Sequence, residues 1–170
     1  MKLICSIDLI ASLLEQDLPR KSKPAGVTLF TLELYQGASL SANTLQRLRT
    51  HLKARHFSEI TLSEEELIRY QQRFVGSGMH LYLTIYDYVA VEYAQEHGWS
   101  LLADKGYLCR YALSHGVAVV NPKELERRCQ QRRRLNDSRK ASLTKYLAQQ
   151  EGEKIEEYNI QQFIDDETHV

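Results

Sequence analysis

The stretch Ser100–Val120, SLLADKGYLCRYALSHGVAVV, decides how the chain is read. Ser100–Ala103 is a short apolar run, Gly106–His115 has helical spacing, Gly116 stops it, and Val117–Val120 is a second apolar run that ends at Asn121-Pro122. Two short β-branched or leucine-rich runs separated by about ten helical residues make a parallel βαβ crossover. The same alternation extends back to the start of the chain. Residues 2–7 (KLICSI) and 27–30 (VTLF) read as strands, and 59–62 as a short one. Leu9, Ile10, Leu13 and Leu14 line one face of a helix over 8–16. Residues 19–26 read as a polar, basic loop. Thr31 is read as the cap of a helix that carries Glu33 and Leu34 before Gly37, and Ser41 or Asn43 as the cap of a helix over 44–55. Ser63-Glu-Glu-Glu66 is a capping box that opens a helix running to Phe74. Thr84 opens a helix over 85–97 that Gly98 closes. The expected fold is α/β: a three-layer αβα domain over 1–122 with a central parallel sheet, followed by a helical extension over 123–170.

Length and composition agree with one core and little else. The chain has 170 residues, 43% of them hydrophobic and 26% charged. That is too apolar for a disordered chain and too poor in Gly and Pro for a collagen-like or linker-rich one. No apolar run approaches the roughly 18–20 residues of a membrane helix. The opening MKLICSIDLIASLLEQ has a single Lys before an apolar stretch broken by Asp8, and reads as strand then helix rather than as a signal peptide. Cys5, Cys109 and Cys129 form no CxxC pair, which fits a reducing, cytoplasmic location better than a disulfide framework or a zinc site.

The zero net charge conceals a pattern. Basic and acidic residues balance over 1–122. Residues 123–145 hold nine basic side chains (Lys123, Arg127, Arg128, Arg132, Arg133, Arg134, Arg139, Lys140, Lys145) against three acidic, and residues 146–170 hold Lys154 against seven acidic. A basic block of this kind either contacts nucleic-acid phosphates, with Arg132, Arg133 and Arg134 as the densest cluster, or is a solvated helix neutralised by the acidic block.

Sites in parallel α/β sheets form at the carboxyl ends of strands, and acids gather there. Asp8 follows the first strand, Glu33 the second, Asp104 the SLLA run, and Asp87 lies in the first turn after Thr84. Each also has an ordinary use: Asp8 and Asp104 as helix caps, Glu33 as a first-turn acid, Asp87 as the capping-box partner of Thr84. Together, four carboxylates can hold Mg²⁺ or Mn²⁺, which take oxygen ligands, activate water and brace a phosphodiester. Tyr82, Tyr86, Tyr88 and Tyr93 surround Asp87 in sequence and suit a core or an interface, or base stacking.

These residues resemble the PIN-domain nucleases, a family that includes the toxins of bacterial toxin–antitoxin modules. Leu32-Glu33-Leu34-Tyr35-Gln36-Gly37 is similar to the family's E-L-x-x-G helix start, Leu83–Ala90 to the segment whose acid opens a long helix, Leu101–Val120 to its closing strand–helix–strand, and KLICSIDLIASLL to its opening strand and helix. The resemblance implies a metal-dependent endoribonuclease with Asp8, Glu33, Asp87 and Asp104 as metal ligands, Mg²⁺ or Mn²⁺ as cofactor, RNA as substrate, and an antitoxin protein and a second copy of the chain as partners. The departures are specific. In the family's register Ser6 takes the first acid's place and Asp8 lies two residues on, while Lys105 takes the last acid's place and Asp104 lies one residue before it. The alternative is therefore a PIN-like domain without catalysis that binds RNA or protein.

Overall fold

A computed structural model describes residues 1–33 and 40–149. Among these, five strands form one parallel sheet: β1 (Lys2–Cys5), β2 (Thr28–Leu32), β3 (Phe57–Ile60), β4 (Ser100–Leu102) and β5 (Val119–Val120). The spatial order is β3-β2-β1-β4-β5. Leu3 lies opposite Leu29 on one side and Ser100 on the other. Leu3, Ile4 and Cys5 are fully buried, as a central parallel strand with helices on both faces requires.

The helices are α1 (Ile10–Glu15), α2 (Leu18–Ser22), α3 (Ala42–Lys53), α4 (Glu64–Ser77), α5 (Ile85–His97), α6 (Gly106–Ser114) and α7 (Pro122–Gln149). The chain steps from β1 to β2 to β3 in one direction, then crosses back beyond β1 to β4 and β5. With right-handed crossovers, α1–α3 lie on one face of the sheet and α4–α6 on the other. The helix contacts agree: α1 packs on α3, and α4 on α5. The fold is the expected three-layer α/β arrangement. By its contacts the chain divides after Gln130. The first turns of α7 belong to the first unit, where Leu125 and Cys129 are buried. Among the described residues no helix is long and apolar enough to cross a membrane.

Local chemistry explains most boundaries. Ser41, not Asn43, caps α3: its hydroxyl accepts the Thr44 amide at 3.1 Å. The Ser63–Glu66 capping box is complete, with Ser63 N–H donating to Glu66 at 2.8 Å and Glu66 N–H to Ser63 Oγ at 3.3 Å. Thr84 Oγ1 accepts the Asp87 amide at 3.1 Å. Gly98 closes α5 at φ +64°, a conformation costly for any residue with a Cβ. Asn121 Oδ1 accepts the Glu124 amide at 2.8 Å and starts α7.

Three expectations are corrected. Residues 19–26 are not a loop: α2 and a short 3-10 turn (Lys23–Ala25) occupy them, with Leu18, Pro19 and Ser22 buried. Proline is tolerated there because a helix's first turn has no use for its amide. The third strand spans Phe57–Ile60 rather than 59–62, because Phe57 pairs with Leu29 and its ring enters the core. Thr31 caps no helix. It is a buried residue of β2, and its hydroxyl lies 2.8 Å from Tyr86 Oη. The helix start expected at Leu34–Gly37 and the acidic block beyond Gln149 lie outside the described residues.

Tyr86 therefore ties α5 to the sheet. Its hydroxyl bonds Thr31 Oγ1 and also accepts the Leu32 amide at 3.1 Å, and the residue is buried. Tyr86→Phe is expected to cost about 1–3 kcal/mol, since it strands a buried amide and a buried hydroxyl while leaving the ring in place. Urea unfolding measures this, and a change below about 0.5 kcal/mol would show that the tie carries no stability.

Candidate functional site

In this sheet the strand order reverses between β1 and β4. The crevice beyond their carboxyl ends is where ligands of doubly wound folds sit. Ser6, Ile7 and Asp8 leave β1 there, Asp104 and Lys105 leave β4, and the first turn of α5 delivers Asp87.

Asp87 is only 1% exposed. It completes no capping box with Thr84. Instead its Oδ1 accepts the Ile7 amide at 3.3 Å and so fastens α5 to the end of β1. Its Oδ2 is buried without a hydrogen-bond partner, and so is Ser6 Oγ, whose residue is also 1% exposed. Ser6 is held by its own amide, which donates to Leu102 O at 2.9 Å. Burial raises the Asp87 carboxyl above the ordinary range. The Ile7 amide opposes that rise, the charge of Asp8 adds to it, and the hydroxyls of Thr84 and Ser6 oppose it. The Ser6 hydroxyl is thus close enough to feel the carboxylate, yet short of hydrogen-bond geometry.

Asp8 lies in the first turn after β1, in a 3-10 segment (Ile7–Leu9), and caps nothing. Its carboxylate forms an ion pair with Lys105 Nζ, from the loop after β4. The two side chains are 40% and 39% exposed, so the pair is solvated and modest in energy. The hydrogen bond it donates to Asp8 raises the Lys105 ammonium above its usual range. Lys105 is also the N-cap residue of α6, without a side-chain capping bond.

The other two acids stand apart in character. Asp104 is exposed and makes no hydrogen bond or ion pair among the described residues; burial raises the Cys109 thiol, and the charge of Asp104 adds to that rise. Glu33 is exposed directly after Leu32, whose amide is bonded to Tyr86. The backbone thus brings Glu33 to the same end of the sheet as Asp87. Among the described residues no three His, Cys, Asp or Glu side chains converge as a metal-holding group. A divalent cation does not fit the residues as they stand: the ammonium of Lys105 already occupies the Asp8 carboxylate, and Asp87 commits one oxygen to a backbone amide.

Of the tyrosines, Tyr86 and Tyr88 are core residues, whereas Tyr82 is exposed. Sequence reasoning missed the Thr31–Tyr86 contact, which spans 55 residues and leaves no local signature. Arg132 is half-buried, and Arg133 and Arg134 are exposed, on α7. No family model, curated protein or solved structure matches the chain.

The raised carboxyl has a definite sign. A folded-state pKa above the unfolded value means the folded protein binds the proton more tightly, so Asp87 opposes stability at neutral pH. That opposition disappears as pH falls through the folded pKa towards the unfolded value of 3.8. Asp87→Asn keeps an oxygen for the Ile7 amide and presents a neutral donor to Ser6. Thermal melts are expected to show the variant a few degrees more stable at pH 7, with the advantage gone below about pH 4. A variant less stable at pH 7 would mean that the charge itself holds α5 in place.

Proposed function

We propose that the chain is a PIN-like domain that binds RNA without metal-dependent cleavage. The observation that carries this reading is the state of the cations on α7. Arg127 and Arg128 both bond Glu124, at 2.8 and 2.7 Å, and together hold its carboxyl down at about 2. Lys123, Arg132, Arg133, Arg134, Arg139, Lys140 and Lys145 make no ion pair with any described residue. A helix this polar on all sides has little apolar stripe with which to anchor itself, and its charge suits a polyanion. At 1.5 Å per residue the basic stretch is about 33 Å long, enough to follow several phosphates.

Binding without cleavage is supported by Lys105, whose ammonium neutralises Asp8, one of the four acids proposed above as metal ligands.

Gel shifts on mixed single-stranded RNA test the proposal. Retention is expected to fall steeply with salt, by a slope of roughly 0.7 per phosphate contacted. Replacing Arg132, Arg133 and Arg134 together by Gln is expected to weaken retention about tenfold and to flatten that slope by about 2. RNA incubated with the protein and Mn²⁺ is expected to stay intact. Cleavage abolished both by EDTA and by Asp87→Asn would replace this reading with that of a metal-dependent nuclease.

A further inference from the structure

We propose that Lys105 is the resident cation of the switch-point site: the chain supplies its own ammonium where Asp8, Asp87 and Ser6 present the oxygen donors of a divalent-ion site. The proposal rests on the reading of this domain as one that binds rather than cleaves.

Placement is the first argument. Asp8 and Lys105 come from the two loops that flank the crevice, after β1 and after β4, and their side chains meet across it. The ammonium makes no other ion pair among the described residues, and the Tyr107 ring lies 5.9 Å from Nζ to centroid. Lys105 thus bridges the strand pair at which the sheet changes direction.

The donors on the other side of the crevice are the second argument. Among the described residues Asp87 Oδ2 and Ser6 Oγ are both buried without a hydrogen-bond partner, an expensive arrangement for polar oxygens. Carboxylate and hydroxyl oxygens are the ligand chemistry of hard divalent cations. The acid of the next residue pair, Asp8, is close enough for its charge to be felt at Asp87. The site therefore has oxygen donors and negative charge, and a single cation, which is covalently tethered.

Exclusion follows from charge. A divalent ion taking Asp8 as a ligand would have to displace the ammonium from that carboxylate, against strong repulsion between the two cations. A tethered ammonium is always present and needs no supply of free metal. Removing its charge should expose the latent site.

The test uses the full chain and Mn²⁺ alone, with uptake read from loss of the free-ion EPR signal and from thermal melts. The wild type is expected to leave the Mn²⁺ signal at full amplitude and its melting temperature unmoved. Lys105→Gln is expected to bind Mn²⁺ at least about tenfold more tightly than wild type and to melt higher in its presence. Lys105→Ala should behave like Lys105→Gln, and Lys105→Arg like the wild type. Asp8→Asn in the Lys105→Gln background should remove the gain. Circular dichroism confirms that each variant is folded, which the exposure of the pair favours. Equal Mn²⁺ uptake by wild type and Lys105→Gln, or no uptake by either neutral variant, would overturn the proposal. The RNA gel shift is independent of both readouts, so failure of RNA binding and failure of the resident cation are told apart.

Discussion

The first turn of α5 holds the centre of the molecule together. Two consecutive side chains reach two adjacent strands of the sheet. Tyr86 reaches β2, through Thr31 and the Leu32 amide, and Asp87 reaches the end of β1, through the Ile7 amide. A parallel sheet leaves the amides beyond its last ladder bond unpaired, and buried amides must find acceptors. Here one helix start supplies both acceptors. That requirement explains why a carboxylate stands at a position 1% exposed, where a charge would otherwise be unfavourable. It also fixes α5 in register with β1 and β2, and so sets Asp87 at the β1 side of the crevice.

The acids at that crevice differ in their surroundings, and the surroundings set their roles. Asp87 is a buried structural acceptor with one idle oxygen. Asp8 is half-solvated and neutralised by a lysine. Asp104 is exposed and unengaged, and Glu33 is exposed at the end of β2. Similar residues at similar strand ends thus do different things, which is why an acid count at the carboxyl edge of a sheet is a weak guide to chemistry. What matters is which oxygen remains free and what sign of charge faces it. In this protein a positive side chain faces the most accessible of the paired acids.

The parts of this structure legible in the sequence are those set by neighbours within four residues. Ser63 and Glu66, Thr84, Gly98 and the βαβ rhythm of 100–120 all act locally, and each stands where local rules put it. Thr31 misled because a hydroxyl just before an acid imitates a helix cap, while its true partner is 55 residues away. Pro19 misled because proline and basic residues imitate a loop, whereas burial of Leu18 and Ser22 made a short helix. At the site, the sequence places Ser6 and Asp8 after β1 and Asp104 and Lys105 after β4, but does not show which of them meet. The geometry that joins Lys105 to Asp8 depends on the pairing of β1 with β4, which no local pattern encodes.

That pairing also shapes how the chain reaches its fold. β1 lies earliest in the sequence of the five strands yet occupies the middle of the sheet, and its partner Ser100–Leu102 follows almost a hundred residues later. During synthesis, Leu3, Ile4 and Cys5 can zip onto β2 soon after it emerges, but their other edge stays open until nearly the whole α/β unit has been made. Contacts of such long sequence separation slow folding, because the loop must close before the pairing rewards it. The interval leaves the apolar run Leu3–Cys5 with one bare edge, the kind of template that recruits foreign strands. The rate at which residues 33–99 are produced and collapse onto the sheet therefore governs how long the nascent protein is exposed to misassembly.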